Sequence, residues 1–293
     1  MWLVFILISA VLLAAWILML RRDVMHEPNT QVFSIYPLGI IVVLPIIALS
    51  VGQPVDFGIL FTNIGFLLLV KTAAVAISLF CVSLALKDLP LTVVGPLRNV
   101  NPLFVGIMAF FLLGESLSYL NILGLLIVVG AVILLDVDIR HPKNLKEFKK
   151  HVQNPAALLL ILAAFVISFA PILDRLIIER VNIFTNLWWF SFFMAILYWI
   201  IHIIKNRELP VSNISVHEIL WLLLSGITLM AADLSYLLAL SFPGAMIAMI
   251  IGVRRLSNLF LTIFGGTILH ENHAVYKGFI CLIMIGGTIL LVL

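Results

Sequence analysis

The chain has 293 residues, of which 63% are hydrophobic and only 11% charged, with a mean hydropathy of +1.24. A soluble domain needs a polar surface, and this composition cannot supply one, so a soluble enzyme or a nucleic-acid binder is excluded. The net charge of +3 says less than where the charges fall, and the two cysteines, Cys81 and Cys281, sit inside apolar runs where they read as small core residues rather than a disulfide framework.

A membrane-spanning helix needs roughly 20 apolar residues, and ten such runs fill the sequence. The first, Trp2 to Leu20, has no basic lead and ends at Arg21-Arg22, the reverse of a cleaved signal peptide, so it is expected to be retained. Val32 to Val51 follows, with Pro37 and Pro45 as expected bends. Phe61 to Leu86 carries Lys71, and Leu91 to Leu113 carries Arg98 within one long helix. Leu117 to Leu135 closes the first half. Asp136 to Asn154 is the most polar stretch and reads as a solvated linker. The second half runs Ala156 to Ile178, Phe184 to Ile204, Ile219 to Leu240, Ala245 to Leu269 and Ala274 to Leu293.

The two halves repeat one plan. Arg98 precedes Glu115 by 17 residues, and Arg254 precedes Glu271 by the same interval. Leu84-Ala85-Leu86 with Pro90 leads into the first copy, and Leu238-Ala239-Leu240 with Pro243 into the second, each proline expected in its helix's first turn. The organisation expected is a five-helix repeat over 1–136, a basic linker over 137–154 and a second five-helix repeat over 155–293. An odd number of helices per copy inserts the copies upside down to one another. The fold class is therefore an all-α integral membrane protein with ten transmembrane helices as two inverted repeats. Lysines and arginines in the loops favour one side by ten to one, which puts the central linker in the cytoplasm and both termini outside.

An ionisable group at the centre of a spanning helix costs at least ~2.5–3.5 kcal/mol, so such groups usually face a cavity or a partner. The candidates are Lys71, Arg98, Asp174, Arg175, Asp233, Arg254 and Arg255. Arg98 and Arg254 hold equivalent places. Asn101 lies three residues beyond Arg98 and Asn258 four beyond Arg254, which continues a polar stripe on one helical face. Arginine's planar donors suit a carboxylate or phosphate. Lys71, Arg98, Asn101, Arg254, Arg255 and Asn258 are thus candidate anion-binding residues. The competing reading pairs these cations with Asp233, Asp174 or backbone carbonyls. Asp233 is read either as the neutraliser of an arginine or as a proton-coupling carboxylate. Asp174-Arg175 read as interfacial, and Glu115 and Glu271 as acids capping the helix that follows each.

The stretch LALKDLPLTVVGPLRNVNPLFVGIMAFFLLGESLS resembles the signature of EamA-like members of the drug/metabolite transporter superfamily. The shared features are the lead-in with its proline, a second proline at Pro102, the apolar run and the terminal Gly114-Glu115. The second copy departs from it, with Asn258 in place of Pro102 and His270 before Glu271. The resemblance implies a secondary transporter of small organic solutes whose third, fourth, eighth and ninth helices line a central cavity. Arg254-Arg255 are also similar to the Lys-Arg pair with which the sugar-phosphate branch holds phosphate. Multidrug relatives depend on a glutamate in the first helix, and Trp2 to Leu20 has no acid. The expected function is alternating-access transport of an anionic metabolite. The alternatives are a proton-coupled exporter of cations, drugs or amino acids, and a lipid-handling protein without solute transport. No cofactor or metal is expected, because no nucleotide loop or metal-ligand spacing appears. The expected partners are a small-molecule substrate and the bilayer, with homodimerisation left open and the cell membrane as the location.

Overall fold

The computed structural model describes residues 1–24, 30–89, 91–136, 146, 148, 150–212, 214–261 and 274–293, and every regular element among them is helical. In the first half these are α1 (Trp2–Val24), α2 (Thr30–Ser50), α3 (Asn63–Ala85), α4 (Leu91–Arg98), α5 (Asn101–Leu113) and α6 (Tyr119–Asp136). In the second they are α7 (Pro155–Ile167), α8 (Phe169–Ile178), α9 (Ile183–Asn206), α10 (Val216–Leu240), α11 (Ile247–Arg254) and α12 (Ala274–Val292). Among the described residues seven spans are long and apolar enough to cross a bilayer, and Tyr119–Leu135 and Gly278–Val292 are shorter apolar helices. The expected ninth run is described only as far as residue 261. Pro90, Glu271 and most of the linker lie outside the described residues.

The single helix expected over Leu91 to Leu113 is broken. α4 ends at Arg98, Asn99 and Val100 form a turn, and α5 restarts at Asn101. Pro102 is the cause: a proline has no N–H to offer the carbonyl four residues back, here that of Arg98, and its ring crowds it. The run Ala156 to Ile178 is interrupted in the same way. α7 stops at Ile167, four residues before Pro171, and α8 resumes past Ser168. The second copy has no proline at the place of Pro102, and its break is slighter. α11 ends at Arg254, Arg255 forms a turn and helix resumes over 256–261, with Arg255 N–H bonded to Gly252 C=O and Asn258 N–H to Arg255 C=O, each at three-residue spacing. Pro243 departs from its expected place. It sits with Gly244 (φ +77°) in a turn before α11, the left-handed glycine following proline as in a type II turn.

The chain forms two compact units, Met1–Ala73 with Leu173–Phe242, and Ala74–Ile172 with Pro243–Leu293. Each unit draws on both halves of the sequence. In unit 1, α1 packs on α10, and α2 packs on α9 and α10. In unit 2, α6 packs on α12, α5 on α11, and α4 on α7. Equivalent helices therefore meet: second with second in α2 and α9, fourth with fourth in α5 and α11, fifth with fifth in α6 and α12.

Backbone polar groups without a helical partner need another donor in so apolar a chain. Pro45 leaves the Ile41 carbonyl without its N–H, and the Trp188 indole donates to that oxygen at 3.1 Å. Glycines set how closely helices approach. A Cβ on Gly226 would strike the Tyr36 carbonyl, and one on Gly39 the backbone of Leu223, so α2 and α10 touch backbone to backbone. Gly124 does the same between α6 and α12, where a Cβ on Gly287 would strike the Ile127 side chain, whereas Gly286 meets nothing within 4 Å. Gly226→Ala is expected to force α2 and α10 apart at a cost of ~1–3 kcal/mol, read as a lower melting temperature in detergent, while Gly286→Ala is expected to leave it unchanged.

Candidate functional site

The helix breaks of unit 2 gather polar side chains. Arg98 is the last residue of α4 and Arg254 the last of α11, so each cation sits at the negative end of a short helix. Arg98 is exposed at the surface of the chain, and no hydrogen bond or ion pair holds its guanidinium among the described residues. Arg254, Arg255 and Asn258 are half-buried. Arg254 precedes Arg255 directly, and Arg98 precedes Asn99, whose side chain Arg255 bonds. The Arg255 guanidinium spans two asparagines. Its Nη1 donates to Asn99 Oδ1 at 3.0 Å and its Nη2 to Asn101 Oδ1 at 2.9 Å. Asn101 Nδ2 in turn donates to Ser168 Oγ at 2.8 Å and to the Ala164 carbonyl at 3.2 Å. One hydrogen-bonded chain thus ties the break at Arg255 to those at Asn99 and Ser168.

Unit 1 treats its buried charge differently. Lys71 on α3 and Asp174 on α8 are each only 5% exposed, and Lys71 Nζ bonds Asp174 Oδ1. Asn186 on α9 bridges them, accepting from Lys71 at 3.1 Å and donating to Asp174 at 2.8 Å. The Tyr236 hydroxyl lies 3.4 Å from Asp174 Oδ2, and the Phe190 ring stands 4.2 Å from Lys71 Nζ. The interfacial place expected for Asp174 is therefore corrected. Burial of Lys71 demands a counter-ion, and the break before α8 carries Asp174 into the packed interior. Arg175, its neighbour, does sit half-exposed, bonded to the Leu240 carbonyl and 3.5 Å from Glu179. Asp233 lines a narrow cavity with Tyr36, Pro37, Phe190, Ser191 and Met194.

Glu115 caps a helix, but not the one that follows it in sequence. Its carboxylate oxygens accept from the Ile247 N–H at 2.9 and 3.2 Å, closing the N-terminus of α11 in the other copy. Met246, at the start of α11, supplies no side-chain cap of its own, and a carboxylate there satisfies an orphan donor and the helix dipole together.

Of the residues singled out from sequence, Arg98, Asn101, Arg254, Arg255 and Asn258 fall in unit 2, and Lys71 and Asp233 in unit 1. Sequence reasoning missed Asn99, Ser168 and Asn186 as partners. Their one signal was polarity within an apolar run, which names no partner.

A family model described as the EamA-like transporter family matches residues 1–136 and again 154–293. No curated protein sequence matches the chain. Among solved structures, one described only as a crystal structure of a protein shares 18% identity at a TM-score of 0.75, covering 97% of this chain and 95% of its own. At that identity the likeness concerns the fold alone.

Removing one member of the buried pair leaves the other charge uncompensated. Asp174→Asn is expected to cost ~3–5 kcal/mol in thermal unfolding, and Lys71→Met combined with Asp174→Leu is expected to cost less than the sum of its single changes.

Proposed function

This chain belongs to the EamA-like transporter family, and on that premise we propose that it is a secondary transporter of a small anionic organic metabolite, working by alternating access. It is a multi-pass membrane protein of a family of small-molecule transporters. The anionic reading is carried by Arg98, an exposed cation with no partner among the described residues. A free arginine within a spanning stretch is costly in hydrocarbon and favourable beside water or an anion. Arg254 and Arg255 add charge of the same sign at the equivalent break. Lys71 adds none, because Asp174 already meets its charge.

In this reading the substrate meets Arg98, Arg254, Arg255 and Asn258 on broken helices, with Asn101 behind Arg255. Helices interrupted at their binding residues are what transporters built from inverted repeats use. We extend it to ten transmembrane helices in two inverted repeats, over 1–136 and 155–293, in the cell membrane. The loop charges support a cytoplasmic linker. A second reading, proton-coupled export of a cation, is favoured by the cavity at Asp233 with its aromatic neighbours Tyr36 and Phe190.

Thermal stabilisation of the detergent-purified protein separates the two. The ligand panel holds carboxylates, sugar phosphates, amino acids and lipophilic cations. A ligand at 100 times its Kd stabilises the folded state by about 2.7 kcal/mol. Anions are expected to raise the melting temperature in wild type, and Arg98→Gln to weaken the response by about tenfold, the loss of one charge-assisted bond. Stabilisation by cations alone, abolished in Asp233→Asn, would instead establish the export reading.

A further inference from the structure

A guanidinium inside a membrane protein, even a half-buried one, commonly meets a carboxylate, which neutralises it. Arg255 meets two carboxamides instead, at 3.0 and 2.9 Å from its two terminal nitrogens. Both are buried, Asn99 at 7% and Asn101 at 6% exposure. A carboxamide oxygen accepts the same hydrogen bonds as a carboxylate and carries no net charge. Among the described residues Arg255 is thereby held in position without being neutralised.

The orientation of Asn101 is fixed by what lies behind it. Its other end meets the Ala164 carbonyl at 3.2 Å, and a carbonyl only accepts, so the amide nitrogen must face Ala164 and the oxygen must face Arg255. Ser168 donates its own hydroxyl proton to Ala164 C=O at 2.6 Å and so is free to accept from Asn101 at 2.8 Å. Every donor in this chain points away from Arg255. Asn99 follows α4 directly, its N–H bonded to the carbonyls of Gly95 and Pro96 at 3.1 Å. The helix breaks therefore supply both the oxygens and their direction.

We propose that Asn99 and Asn101 are specificity-determining residues, which position Arg255 through neutral oxygens so that its charge is kept for an anionic substrate. The proposal rests on the anion-transport reading above and deepens it. It assigns the selection of charge sign to two residues that touch Arg255 rather than the substrate.

The test replaces the neutral oxygen by a charged one of the same shape. Purified wild type, Asn99→Asp and Asn99→Ala are melted in detergent against titrations of inorganic phosphate and of succinate. Wild type is expected to be stabilised by at least one of these anions. Asn99→Asp is expected to melt, without ligand, at or above wild type, since it completes an ion pair, yet to respond to the anion about tenfold more weakly or less. Asn99→Ala is expected to melt lower without ligand but to lose less of the anion response than Asn99→Asp, because it removes a hydrogen bond and leaves the charge. A purely structural role gives the opposite order, alanine at least as damaging to binding as aspartate, and that order would overturn the proposal. So would an Asn99→Asp response equal to wild type, with the anion reading left intact. Wild type unmoved by either anion would remove the anion reading and the proposal together. Asn101→Asp is the second arm, should Asn99→Asp not fold. It loses stability against the Ala164 carbonyl, and it is expected to weaken the anion response in the same way.

Discussion

Hydrocarbon offers no partner to a polar group, and most features of this protein answer that constraint. Prolines are the clearest case. Pro45 orphans one carbonyl within α2, and the Trp188 indole supplies the missing donor. Pro102 and Pro171 interrupt helices, and at the freed turns Asn101 bonds Ser168 and Asn99 bonds Arg255. The N-terminus of α11 presents unsatisfied N–H groups, and Glu115 reaches Ile247 from the other copy to close it. The polar groups an apolar chain must carry are thus spent on one another, across the two halves of the sequence.

Charge is handled in two ways. In unit 1, Lys71 and Asp174 cancel, with Asn186 bonded to both. A pair so enclosed is coupled to the packing of α3, α8 and α9, and breaking it exposes a charge to an apolar interior. In unit 2, Arg255 is held by Asn99 and Asn101, with Arg254 directly before it and Arg98 directly before Asn99. Like charges brought together in a poorly screened environment repel, and the two asparagine oxygens offset that repulsion at Arg255 only in part.

The membrane class, the apolar runs and the duplicated plan were all legible in the residues. Hydropathy acts over 20-residue windows and does not depend on what a run packs against, and the family model matches residues 1–136 and 154–293. The arginines at equivalent places were legible for the same reason, since the repeat aligns them. The continuous helix expected over Leu91 to Leu113 was misread because a 20-residue hydropathy window averages over the two-residue turn at Asn99 and Val100, although Pro102 carried the signal. Asp174 was misplaced because sequence adjacency to Arg175 suggested a shared environment, while a helix sends adjacent side chains about 100° apart.

The sequence by itself determined that this chain lives in a bilayer and that Arg98 and Arg254 each precede a glutamate by 17 residues. Those properties follow from composition and spacing, which are one-dimensional. Tertiary structure alone decided which charges cancel. Lys71 meets Asp174 across 103 residues of chain, and Arg255 meets Asn99 across 156. A hydrogen bond depends on positions within a few tenths of an ångström, and no pattern along the chain encodes which distant carbonyl or carboxylate will arrive there.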